Sequence, residues 1–221
     1  MHSIVKNFTE IQDIINKQIN EINLPKKPKI IAVSKTFKSE KIEPLLEHGH
    51  KDFGENKVQE ALLKWTDLKV KYKDINLHLI GNLQSNKVKG ALKIFNFIHS
   101  LDKESVAIKI SKVQKELNVR PKIFIQINIG NEEQKSGVNV DYLDEFYSIC
   151  VKELNLDIIG LMCLPPNNEK TLFYFSEMQK LTKKLNLNEL SLGMSNDYIY
   201  AIEYGSTFIR IGSKIFGQRS K

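Results

Sequence analysis

Apolar residues fall at Ile4, Phe8, Ile11, Ile14, Ile15, Ile19 and Ile22. That spacing of three and four predicts a helix with one apolar stripe. The stretch L-P-K-K-P at 24–28 ends it, because proline cannot donate to a helix interior. A different pattern then recurs. Short apolar or β-branched runs at 30–33, 51–54, 77–81, 97–100, 122–128, 158–162, 189–192 and 207–211 read as strands. Longer helical stretches separate them, at 40–48, 57–71, 87–95, 103–117, 141–153, 169–185 and 197–203. Ser39 and Asp102 are expected to cap two of these helices. Strand alternating with helix predicts a parallel sheet. Eight strands in a chain of this length predict an α/β fold, a (β/α)8 TIM barrel with an extra N-terminal helix. An open doubly wound sheet is the competing layout, but the G-x-G-x-x-G turn after its first strand is absent. No linker or low-complexity tract interrupts the pattern, so residues 1–221 are expected to form a single domain.

The charge balance narrows the function classes. The net charge is +7, yet only Arg120, Arg210 and Arg219 are arginines. The lysines are spread along helices, which predicts a solvated surface rather than the clustered patch of a nucleic-acid binder. The two cysteines, Cys150 and Cys163, form no C-x-x-C pair, which argues against a zinc site and for a reduced, cytoplasmic setting. No apolar run approaches a membrane span, and no secretory segment is evident.

In a barrel of this kind the working residues stand at the C-terminal ends of strands. Lys35 stands there after the first strand, in I-I-A-V-S-K-T. The seventh and eighth strands run into S-L-G-M-S-N at 191–196 and I-R-I-G-S at 209–213. Glycine and serine at those two junctions match the place where barrels commonly hold a phosphate against backbone N–H groups. Arg210 lies between isoleucines, where a charge is costly unless it is paired or functional. The alternative for Arg210 is a structural pair with a carboxylate. A strand-end lysine, a phosphate cradle and a positioned arginine together suit pyridoxal phosphate, whose aldehyde forms a Schiff base with an amine. Cys163 reads as a small core residue, and His48 and His50 as a surface turn.

These motifs resemble the YggS/PROSC family of pyridoxal phosphate homeostasis proteins. The resemblance rests on A-V-S-K-T at 32–36, F-G-E-N-K-V-Q-E at 53–60, H-L-I-G-N-L-Q-S-N-K at 78–87, Q-I-N-I at 126–129, K-S-G at 135–137 and G-L-M at 160–162. It continues through S-L-G-M-S at 191–195 to G-S-T-F-I-R-I-G-S-K-I-F-G at 205–217. It implies a barrel similar to the N-terminal domain of alanine racemase. It also implies Lys35 as the Schiff-base lysine, with Ser195, Gly212 and Ser213 on the phosphate and the Met194 backbone nearby. Arg210 would face the pyridine nitrogen, with Asn56 and His78 lining the pocket. Ser213 stands where many members carry threonine, which keeps the hydroxyl.

The same resemblance implies a carrier that stores, buffers or delivers the cofactor, and a monomer is expected. Apo forms of pyridoxal phosphate enzymes would be its recipients, with indirect effects on amino-acid and keto-acid metabolism. The competing reading is a weak racemase or another pyridoxal phosphate enzyme. Two features weigh against it. A fixed cation on the ring nitrogen opposes its protonation and weakens the ring as an electron sink. The chain also runs only eight residues past Ser213, without the second domain that gives alanine racemases their opposite-face tyrosine. A third reading is a protein that binds RNA or a partner through its lysines.

Overall fold

The computed structural model describes residues 2–166 and 168–218. Eight parallel strands pair in chain order: β1 (Lys29–Val33), β2 (Asp52–Glu55), β3 (Asn76–Leu79), β4 (Phe97–Leu101), β5 (Lys122–Ile127), β6 (Asp157–Cys163), β7 (Glu189–Met194) and β8 (Phe208–Ile211). β8 pairs back onto β1, with Ile30 opposite Ile209 and Ala32 opposite Ile211. The sheet is therefore a closed barrel, and the open doubly wound layout does not hold.

The helices are α1 (Ser3–Ile22), α2 (Ser39–Glu47), α3 (Val58–Lys71), α4 (Val88–Ile94), α5 (Glu104–Leu117), α6 (Leu143–Ser148), α7 (Thr171–Lys184), α8 (Tyr198–Glu203) and α9 (Ser213–Phe216). Three expectations need correction. Neither expected N-cap is used: Lys38 and Lys103 precede α2 and α5, and neither makes a side-chain capping bond. Ser39 is already helical, while Asp102 lies one residue too early. The helix expected over 141–153 is not continuous. A 3₁₀ turn at Val140–Tyr142 leads into α6, which widens into a π-helical turn at Ile149–Glu153. Finally, α9 was not foreseen, because four residues are too few to show a helical period.

Apolar packing forms two shells. Ile31, Val33, Phe97, Phe124, Met162 and Phe208 fill the barrel interior. A larger cluster, including Phe53, Trp65, Phe146 and Phe175, lies between strands and helices. α1 buries Ile4, Val5, Phe8, Ile11 and Ile15 against α9, α2 and α8, while Ile14 and Ile22 of its expected stripe stay exposed. Each such buried side chain contributes on the order of 1.5–3 kcal/mol. The docking of α1 thus far exceeds what its helix propensity could supply. Among the described residues, no helix is long and apolar enough to cross a membrane.

Candidate functional site

The ends of β1, β2, β3, β6, β7 and β8 surround a cavity of about 630 Å³. Lys35, Asn56, Met194, Ser195, Arg210, Gly212 and Ser213 all line it. Seven of the residues expected from the sequence therefore meet at one place, although they come from opposite ends of the chain. Phe37, Ile80, Leu164, Pro165 and Pro166 form its apolar walls. No sequence motif singled these out, since apolar loop residues look like ordinary surface scatter until the loops converge.

Lys35 is half-buried, in the turn immediately after β1. Its neighbours are tied down on both sides. The Ser34 hydroxyl donates to Glu55 Oε1 at 2.7 Å, and the Thr36 N–H donates to Glu60 Oε1 at 2.6 Å. Lys64 Nζ reaches the Ser34 carbonyl at 2.9 Å, Glu55 at 2.9 Å and Glu60 at 3.2 Å, while Trp65 Nε1 donates to Glu55 at 2.9 Å. Glu55 and Trp65 are fully buried, so the bonds made to Glu55 are shielded from water. Thr36 holds φ at 69°, a left-handed conformation that a non-glycine residue keeps only when its surroundings enforce it. The F-G-E-N-K-V-Q-E segment thus acts as a clamp on the strand end that carries Lys35.

Arg210 is buried at the cavity floor. Nη1 donates to the Ser191 carbonyl at 2.8 Å and to Ser191 Oγ at 2.6 Å, and Nη2 donates to the Cys163 carbonyl at 2.9 Å. Among the described residues it has no carboxylate ion-pair partner, so the structural alternative of an Arg–carboxylate pair is not found. Burial lowers its guanidinium to about 10, which still leaves it charged at neutral pH. The nearby Cys163 thiol is pushed up to about 12 by its own burial, so it stays an inert core group.

The β7–α8 junction is shaped by Gly193, at φ 83°. The β7–β8 register also shifts between Ser191 and Met194, which carries Met194 and Ser195 outward to the cavity. Asp197 Oδ1 accepts the Met194 N–H at 2.6 Å. The Met194 backbone donor expected near an anion is therefore committed within the loop. Asp197 is the only carboxylate among the described lining residues. Gly81 has a role the sequence did not reveal: a Cβ there would stand 2.3 Å from the Asn56 carbonyl, so only glycine lets Asn56 sit at the cavity edge.

His78 is corrected. It does not line the cavity but is fully buried inside the barrel, stacked on Phe97 at 4.3 Å and bonded to Asp52 and His99. As the third residue of a short parallel strand it points inward, below the layer that opens to the cavity. Another histidine, His99, also falls inside. His50, expected in a surface turn, is instead half-buried between α1 and the barrel, packed on Phe8 at 4.6 Å and Phe53 at 5.1 Å, and desolvation lowers it to about 4. His99, which the sequence did not single out, shares the inward face of β4 with Phe97 and stacks on Phe124 at 4.2 Å, whereas the register shift between Ile98 and Leu101 turns Leu101 to the outer shell. No cluster of three or more metal-ligating side chains occurs among the described residues.

The profile of the family described as "Alanine racemase, N-terminal domain" matches residues 12–220. The pyridoxal phosphate homeostasis protein of Aquifex aeolicus is 38% identical over 86% of this chain and 87% of its own. The chain belongs to the pyridoxal phosphate homeostasis branch of the alanine racemase N-terminal domain family. Among solved structures, this family member is similar to PipY of Synechococcus elongatus, which was solved with PLP bound. The TM-score is 0.79 at 31% identity, covering 92% of this chain and 100% of PipY. Alanine racemase of Corynebacterium glutamicum shares the fold alone, with 15% identity, a TM-score of 0.66, and 99% of this chain covering 61% of that enzyme.

Proposed function

We propose that the cavity holds pyridoxal 5'-phosphate through Lys35 and that the protein serves cofactor homeostasis by storage, buffering or delivery. The observation that carries this reading is the convergence of an amine, a guanidinium and two serine hydroxyls on one cavity of about 630 Å³. That donor set fits the group: an amine for an aldehyde, a cation for a ring nitrogen, and hydroxyls with a bare glycine backbone for a phosphate. The cofactor's own contribution is an electrophilic aldehyde on a ring that can delocalise electrons. The chain does the rest. The Glu55–Lys64 clamp fixes the strand end so that Lys35 points into the cavity. Ser195, Gly212 and Ser213 receive the anion, and Asn56 borders the ring.

A non-catalytic carrier is the favoured form of this reading, because Arg210 opposes protonation of the ring nitrogen. A cytoplasmic monomer that passes the cofactor to apo-enzymes follows from the same reading. Weak racemase or other pyridoxal phosphate chemistry is the alternative, since proteins of the same fold include enzymes. The experiment is to add PLP, remove the excess, and record the absorbance of wild type and Lys35→Ala. Borohydride reduction and peptide mapping follow, with α-proton exchange of amino acids in heavy water as a parallel assay. A Schiff-base band lost in the variant, label on Lys35 and no exchange support the carrier. Lys35-dependent exchange supports the enzyme, and label scattered over surface lysines refutes the site.

A further inference from the structure

A line of buried polar groups runs through the barrel interior away from the cavity. Arg210 Nη1 lies 2.6 Å from Ser191 Oγ, and Ser191 Oγ lies 3.0 Å from His99 Nδ1. His99 Nε2 lies 3.0 Å from His78 Nδ1, and His78 Nε2 lies 3.1 Å from Asp52 Oδ1. Ser191, His99 and His78 are fully buried, and Asp52 begins β2 at the opposite end of the barrel. We propose that Ser191, His99, His78 and Asp52 form a one-way hydrogen-bond chain that holds Arg210 in the orientation its ligand requires. They are positioning residues, and the ligand end of the proposal rests on the cofactor reading above.

The direction of the chain follows from what each group can do. A guanidinium only donates, so Ser191 Oγ accepts from Arg210 and its single hydrogen passes to His99 Nδ1. The neutral His99 ring then carries its hydrogen on Nε2 and donates to His78 Nδ1. His78 in turn donates Nε2–H to Asp52, which as a carboxylate only accepts. Running the chain backwards would leave the Ser191 hydrogen without an acceptor along it. It would also set the bare Nε2 of His78 against a carboxylate. Both ends therefore demand the same order.

The surroundings keep the chain in place. His78 lies flat on Phe97 with 14° between the planes, and His99 lies on Phe124 at 4.2 Å and 16°, so neither ring can turn over freely. Burial holds both imidazoles neutral, His99 well below its ordinary value. At the far end His50 and Lys29 face Asp52, and at the near end Cys163 and Asp197 face Arg210. Each bond polarises the next in a low-dielectric interior, so the guanidinium feels a carboxylate that it does not touch. A change at Arg210 must likewise register at His78, which borders no part of the cavity.

The test is nitrogen-15 NMR of the histidine rings in wild type and Ser191→Ala, with and without PLP. Both His78 and His99 should be neutral Nε2–H tautomers at about pH 7 to 8, already in the protein without PLP. Adding PLP should shift the ring resonances of both. Ser191→Ala should fold normally by circular dichroism, weaken PLP binding roughly three- to tenfold, and abolish the response at His78. A structural role alone would leave His78 unmoved on loading. An Nδ1–H tautomer at either ring, titration in that range, or PLP binding with an unchanged His78 signal would overturn the proposal. If wild type takes up no PLP, the cofactor reading and the ligand end fail together, while the tautomers still decide whether the chain exists.

Discussion

At Gly193 the backbone turns into the left-handed region just where β7 must deliver Met194 and Ser195 to the cavity. A Cβ there would meet the Ala201 Cβ at 2.6 Å and the Tyr198 Cα at 2.9 Å, so α8 packs directly on the bare backbone. Gly193→Ala should therefore cost about 1–3 kcal/mol and push the Ser195 loop out of place. Urea unfolding should show the lost stability, and a PLP titration should show weaker binding. At this scale the sequence was uneven. Lys35 and Arg210 stood out because each puts a charge beside an apolar run. The cavity membership of Ser195, Gly212 and Ser213 followed from their strand ends. His78 and His99 were not legible in the same way. Alternation tells which face of a strand a residue takes, but not which residue faces it across a barrel. That depends on closure and register, and the β7–β8 register itself shifts beside Ser191.

Among the elements, α1 stands apart because it belongs to no strand–helix unit of the barrel. It packs on α9, and Asn7 Nδ2 donates to the Ile215 carbonyl at 3.1 Å. Since α9 begins at Ser213, this contact braces one wall of the cavity from outside. Phe8 lies within this packing, 2% exposed. Phe8→Ala should cost on the order of 3–5 kcal/mol, equivalent to ~6–20 °C in Tm for a chain of this size. Calorimetry would measure that loss, and an unchanged Tm would show that α1 does not support the barrel. Strands such as β1, K-I-I-A-V, and β5, K-I-F-I-Q-I, were legible because a buried parallel strand is largely apolar and β-branched, whereas β2, D-F-G-E, was legible mainly from its place between two helical stretches. The break in the helix over 141–153 was not, because a π-helical turn changes the hydrogen-bond partner without changing which residues are apolar.

For the molecule as a whole, His50, His78 and His99 contribute to the response to acid. His50 titrates at about 4 in the fold against 6.5 unfolded, and His78 and His99 are also lowered. Between those values the unfolded chain binds the extra protons. The stability is thus fully present above about pH 6.5 and is lost as pH falls towards 4. His50 alone accounts for about 3 kcal/mol of this change. Asp52 adds to it only at still lower pH, since its folded value lies below 3.8. Urea midpoints at about pH 5 and 7.5 would check the sign, and equal midpoints would contradict it. The closed barrel also makes the site depend on its own closure. β1 and β8 are the most distant strands in sequence, yet they pair, and Lys35 follows one while Arg210 sits in the other. The cavity therefore straddles the seam where β1 meets β8, and it is complete only while the two are paired. A ligand that grips both edges of that seam acts as a clasp, and it slows the barrel's opening in proportion to its own hold.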